Sequence, residues 1–343
     1  LKKQFLRTVR SLLFLALAVF LLYLAFRGID VGEVWRDLQH ARYAWLLVLL
    51  PVGLLSHLFR AWRWNILIRP LGYRPPLSHT FYAVMSGYLA NLALPRLGEV
   101  VRCGSLTRTD RIPFDKLIGT VITERIIDLL ILLFLTVVTF FIKIHFFGAF
   151  FRQHIFVPLG ERFSALFSGT SLLVMVAAGA LLVLLLFLLR KRIGRSRLFR
   201  KVVAFVRGIG QGMRTILQME DHLLFFLSSA LIWLMYYLTA WLVVYTLPGT
   251  SSLTAVDGLF LLVVGSFGMV VPVQGGLGAY HLIVSSALTL YGIPRETGLA
   301  LATIAHESQT LLILVVGAFS MIMVVMLKRR PAGSKKTDAP SAG

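Results

Sequence analysis

The chain has 343 residues, 57% of them hydrophobic and 15% charged, with a mean hydropathy of +0.81, a composition that excludes a water-soluble domain of this length. The formal charge of +20 does not point to nucleic acid, because the 35 basic residues sit in short segments between apolar runs rather than along an aromatic-interleaved stripe. The single cysteine, Cys103, excludes an intrachain disulfide and a CxxC metal site.

In chain order, residues 11–26 are apolar and follow Lys2, Lys3, Arg7 and Arg10 without an acid. This predicts a retained signal anchor as the first span, with a cytoplasmic N-terminus. Residues 27–43 balance three bases with three acids, which suits the outer side. A second span is predicted over 44–68. It ends in Arg60, Arg63, Arg69 and Arg74 with no acid, so the chain is inside again. Trp62 and Trp64 read as interfacial anchors, and His57, Arg60 and Arg63 as interfacial residues whose arginines can bend inward.

Residues 118–142 and 170–189 read as strong spans, and 190–214, with nine bases and no acid, as a cytoplasmic helix along the membrane surface. Two crossings already return the chain to the inside. The apolar run 78–94 therefore cannot be a third simple crossing: it dips in and returns, alone or paired with part of 95–117. After a span at 223–246, two short apolar pieces in 258–291 flank Pro272, Gly275, Gly276 and Gly278. The last span, 298–327, ends inside, so this broken pair enters from and returns to the outside. Residues 328–343 read as a disordered basic cytoplasmic tail.

The predicted fold is an all-α polytopic membrane protein, with about six strong spans and two broken or re-entrant hairpins forming one domain over 1–327. The hairpins share a pattern, Ser86-Gly87 to Pro95 and Gly98 against Gly265-Ser266 to Pro272 and Gly275. They enter from opposite faces, as in a transporter-like inverted repeat, although glycine and proline are also common in membrane helices generally.

Charges inside these segments carry the functional reading. Glu124, Arg125 and Asp128 lie deep in 118–142, where each charge costs roughly 2.5–3.5 kcal/mol. At about 100° per residue, Asp128 falls about 40° from Glu124 and about 60° from Arg125, so all three share a narrow face. That face is either a self-neutralising cluster holding helices together or a polar lining for a head group or ion. Arg96, Glu99 and Arg102 are spaced by three, with Pro95 suited to the first turn of a helix carrying them. Arginines on an inward-pointing helix N-terminus suit an anionic group such as phosphate, and Asn91 before it suits a cap or a substrate contact. The alternative is a basic loop against lipid head groups. His306 and Glu307 lie deep in the last span, and His281 follows the glycine-rich break. No HExxH, Walker, GxSxG or metal-spaced His/acid motif occurs, so no cofactor or metal is expected and primary pumping by this chain alone is excluded.

The strings GYLANLALPRLGEVVRCGSL, GTVITERIIDLL and PVQGGLGAYH, with RAWRWNIL at 60–67, resemble the flippase-like membrane family. This family comprises the transmembrane domain of lysylphosphatidylglycerol synthases and its stand-alone relatives. The resemblance spans about residues 10–327 and rests on Asn91, Pro95, Arg96, Gly98, Glu99, Arg102, Glu124, Arg125 and Asp128. Gln274 and His281 stand where the family commonly has a proline and an acid.

The resemblance implies translocation of a polar lipid between leaflets of the inner membrane, without the aminoacyl-transfer domain of the bifunctional synthases. In that reading Arg96, Arg102 and Arg125 meet the head-group phosphate, Glu99, Glu124 and Asp128 balance them, and His281 and Glu307 approach from the outer side. The expected partner is a membrane lipid, with no nucleic acid; a separate lipid-modifying enzyme and a homo-oligomer stay open. The alternative is an integral membrane enzyme or accessory subunit acting on lipid-linked sugars.

Overall fold

The computed structural model describes residues 2–144 and 219–327, with side chains from residue 13. Among these residues there are ten α-helices and no strand. They are α1 (Lys2–Phe26), α2 (Val31–Gln39), α3 (Leu46–Ile68), α4 (Leu77–Ala93), α5 (Leu97–Asp110), α6 (Phe114–Ile142), α7 (His222–Leu242), α8 (Ala255–Val270), α9 (Ala279–Leu288) and α10 (Arg295–Met326). The chain divides into two compact units, Leu1–Leu132 with Met219–Gly343, and Leu133–Gln218. The second is described only over 133–144, where α6 ends.

Four stretches are long and apolar enough to cross a bilayer: Tyr43–Leu71, Phe114–Ile142, His222–Thr246 and Arg295–Met326. A fifth arises if Leu13–Phe26 and Val31–Gln39, bent by 87°, count as one span. The expected span at 170–189, the basic segment 190–214 and the tail 328–343 lie outside the described residues. The expected first span, 11–26, lies within the unbroken helix α1, and the bend follows it in the segment 27–43. Gly28, at φ +73°, breaks the helix, and the Asp30 carboxylate accepts the Gly32 N–H at 2.8 Å to start α2 in a new direction.

The two interrupted segments are helical hairpins. No helix in them exceeds 17 residues, the lower limit for a span. Gly87 on α4 faces Gly98 on α5 so closely that a β-carbon on Gly87 would lie 2.8 Å from the Gly98 carbonyl oxygen. Helix α5 therefore runs back along α4. In the second hairpin, Gly268 packs on the Tyr280 backbone and Gly276 on Met269, so α9 returns along α8. A capping box starts α8, the Thr254 hydroxyl accepting the Asp257 N–H at 3.4 Å and the Asp257 carboxylate the Thr254 N–H at 2.7 Å. Between α8 and α9, Gly275, Gly276 and Gly278 have φ of +58°, +82° and +78°, conformations that favour glycine.

The sequence of long helix, broken hairpin and long helix occurs twice: α3, α4–α5, α6 and then α7, α8–α9, α10. Val243, Leu247, Leu261, Leu288, Leu299 and Ile304, from the second hairpin and the segments beside it, join one buried apolar core. Cys103, on α5, is fully buried. A maleimide is expected to label it at least roughly tenfold more slowly in native membranes than after denaturation, because reaction needs an accessible thiolate. Rapid labelling by an impermeant reagent on intact cells would overturn the placement of α5.

Candidate functional site

Five charged side chains from three helices converge in the interior. Glu124 is fully buried; one of its carboxylate oxygens meets Arg60 and, at 3.4 Å, Arg63, and the other takes Arg102 at 2.8 Å. Asp128, one turn on, takes Arg60 at 3.1 Å and Arg63 at 2.8 Å. The Arg60 guanidinium also donates to the Tyr236 hydroxyl at 2.9 Å, and Arg63 to Ser229 at 3.2 Å, tying α7 in. The Arg102 guanidinium lies 4.5 Å from the centre of the Trp64 ring, whose indole N–H donates to Thr120 at 2.8 Å. Three guanidiniums against two carboxylates leave one excess positive charge in this network. Such charges persist inside a membrane protein when paired with one another.

Beside this network lies a cavity of about 650 Å³ between the two hairpins. Its charged lining is Arg60, Arg96, Glu99, Arg125 and Asp128, joined by His57 and His306. Tyr88, Asn91, Tyr236, Gln309 and Thr310 add polar groups, and Leu129, Leu132, Trp233, Leu261 and Val271 supply apolar wall. Both breaks reach the cavity through Pro95 and Arg96 on one side and Pro272, Gly275 and Gly276 on the other. They also touch: a β-carbon on Gly275 would lie 2.9 Å from a Leu92 methyl.

The residues singled out from sequence separate into three groups. Asn91, Arg96, Glu99, Arg125 and Asp128 line the cavity. Arg102 and Glu124 lie behind it as partners of one another and are not lining residues. His281 and Glu307 sit together beyond the second break, also outside the lining. Arg125 does not share the buried cluster with its two α6 neighbours. It pairs with Glu99 at 3.1 Å, with 46% of its side chain exposed.

Arg96 is not on a helix with Glu99 and Arg102. Helix α5 begins at Leu97, and Arg96 precedes it at φ +65°, with Pro95 in the turn before. The chain reverses between α4 and α5 in three residues, 94–96, and a left-handed residue makes that reversal at a cost on the order of 1–2 kcal/mol. Asn91 spans the reversal, its side-chain oxygen accepting the Gly98 N–H at 2.7 Å and satisfying a free donor in the first turn of α5.

His57, Arg60, Arg63 and Trp64 are all buried rather than interfacial. Their position near the end of a basic span looks the same whether arginines reach toward water or toward carboxylates sixty residues later in the chain. Arg60 reaches the cavity, as an inward bend allows, while Tyr88, Tyr236, Gln309 and Thr310 are lining residues that sequence reasoning did not name. The available signal was the spacing Arg60–Arg63, which puts two cations on the same face as His57.

At the second break, His306 Nε2 lies 2.8 Å from the Gly275 carbonyl oxygen and Nδ1 2.9 Å from the Glu307 carboxylate. His281 Nε2 lies 3.9 Å from the same carboxylate oxygen. Both histidines are buried, their ring centres 5.0 Å apart.

The family described as the lysylphosphatidylglycerol synthase TM region matches residues 11–317, which take in both hairpins, the charged part of α6 and most of α10. A curated relative, the UPF0104 membrane protein MJ1595 of Methanocaldococcus jannaschii, is 21% identical over 329 residues, covering 91% of this chain and 94% of that protein. No solved structure matches the chain. With its apolar helices, its paired intramembrane charges and a match over nearly its whole length, the chain is a membrane protein that belongs to the lysylphosphatidylglycerol synthase transmembrane-region family.

Proposed function

We propose that the chain moves a polar lipid with an anionic head group between leaflets of the cytoplasmic membrane, and that the cavity between the hairpins holds the head group. The observation that carries this reading is the charge of that cavity. Arg60, Arg96 and Arg125 face Glu99 and Asp128 there, with Arg63, Arg102 and Glu124 close behind, so cations outnumber acids in both layers. A phosphate supplies the missing negative charge and fits the planar fork of a guanidinium. Arg96 is the strongest candidate for direct contact, because it lines the cavity at the break without a carboxylate fixed to it by any ion pair among the described residues. The apolar wall suits the glycerol region, while acyl chains stay in the bilayer. The charge bias of the segments flanking the spans supports cytoplasmic N- and C-termini.

Purified protein in liposomes carrying labelled lipids tests this directly. Anionic phospholipid analogues are expected to cross faster than in protein-free vesicles, chemically unchanged. Arg96→Ala is expected to slow them by at least roughly tenfold, the loss of one charge-assisted contact. If no candidate lipid moves, and Arg96→Ala leaves the outer-leaflet lipids of cells unchanged, transport is the wrong reading. Chemical alteration of the lipid in the same vesicles would instead favour an enzyme acting on lipid-linked substrates.

A further inference from the structure

We infer that His281, His306 and Glu307 form a binding site for a first-row divalent metal ion of the zinc class, at the second break. One donor atom from each residue lies within 4.8 Å of the other two. The hydrogen-bond pattern explains why a cation belongs among them. The Gly275 carbonyl can only accept, so His306 Nε2 carries the hydrogen, and the lone pair of Nδ1 faces Glu307 at 2.9 Å. Two acceptors at that distance repel unless something positive lies between them.

A proton on His306 satisfies that pair but leaves His281 unexplained. His281 is buried, and its Nε2 lies 3.9 Å from the carboxylate oxygen, too far for a hydrogen bond to it. A metal ion uses all three side chains at once. Nitrogen and oxygen ligands about 2.0–2.2 Å from a tetrahedral zinc lie roughly 3.3–3.5 Å from one another. The observed 2.9 and 3.9 Å fall either side of that spacing. Two imidazoles with one carboxylate select zinc, cobalt or nickel over magnesium or calcium, and leave a fourth position open. The carbonyl held by His306 Nε2 is the outer partner that fixes a ligating histidine in the correct tautomer.

The setting adds a reason. Glu307 is half-exposed on the face of α10 that also presents Leu311, Leu314 and Val315, at the i, i+4, i+7 and i+8 positions. That stripe faces lipid in a spanning helix, so the carboxylate needs a counter-charge held in place. Because His306 also holds the Gly275 carbonyl, an ion bound here ties α9 to α10 beside the tip of the second hairpin.

The test uses the full chain in detergent, stripped with a chelator, then titrated with zinc or cobalt chloride and desalted. About one metal per chain is expected, with the intense visible bands of four-coordinate cobalt. Glu307→Gln, which keeps the side chain's volume, should weaken binding by more than the roughly 10–100-fold that losing an outer partner costs. His79→Ala, which removes a histidine–aspartate pair elsewhere, should leave binding unchanged. Zinc should also raise the unfolding temperature of the unmodified protein, a reading that depends on no variant. The inference is wrong if the unmodified chain retains no more metal than a His281→Ala, His306→Ala, Glu307→Gln triple variant, or if zinc leaves its unfolding temperature unmoved. Metal content is read without lipid, so failure here leaves the transport reading standing.

Discussion

Glu124→Gln is expected to destabilise the protein by about 3–5 kcal/mol, the cost of removing one member of a buried ion network. All three buried arginines converge on this carboxylate. Without it, Asp128 alone faces Arg60 and Arg63, and Arg102 keeps only the Trp64 ring. The amide preserves the volume, so the loss reports charge rather than packing. Thermal unfolding in detergent, followed by the disappearance of the monodisperse peak on gel filtration, measures it. Arg125→Gln, at the next residue of the same helix, is the comparison. Its partner Glu99 is partly exposed, so its removal should move the unfolding midpoint far less. Equal losses in the two variants would mean the buried network does not hold the helices together.

The second large effect is expected at the crossing of α4 and α5. Gly98→Ala places a methyl against the Gly87 carbonyl and the Asn91 side chain, and the first of these is backbone that cannot rotate away. The hairpin has to open, which strains the Asn91 bond to the Gly98 N–H and moves Arg96 and Glu99 away from the cavity. Overpacking of this kind costs about 1–3 kcal/mol, and displacement of the site should abolish most lipid movement. Gly104→Ala, in the same helix with open space around it, should leave stability and transport as they are. A Gly98→Ala protein that transports normally would show that the hairpin tip does not set the geometry of the cavity.

Much of this architecture can be read from the sequence because the bilayer imposes simple rules. The spans at 44–68, 118–142, 223–246 and 298–327 each fall within a few residues of an observed helix, since length and apolarity alone define them. Both hairpins are visible as proline and glycine interruptions, and the charges of α6 as an intolerable cluster needing partners. What could not be read is the identity of those partners. Arg60 and Arg63 sit near the end of a basic span, where positive charge is ordinary, and nothing local separates an arginine reaching water from one reaching Glu124. The left-handed Arg96 is hidden for a similar reason: helix periodicity continues through it, and only the tight return of α5 onto α4 forces the conformation. His281, His306 and Glu307 form no metal motif in sequence because the two histidines lie on separate helices with 24 residues between them.

The wiring of α6 has a consequence for how the chain is made. Its charged partners Arg60, Arg63, Glu99 and Arg102 all precede it in the chain. A ribosome therefore delivers the counter-ions before the helix that needs them. Inserted alone, three charges at the depth of Glu124, Arg125 and Asp128 would oppose entry by on the order of 8–10 kcal/mol. Inserted after α3 and α5, the same helix meets waiting guanidiniums. The order of the genetic text thus doubles as an assembly schedule, in which the span carrying the buried acids enters the membrane after the cations that pair with them.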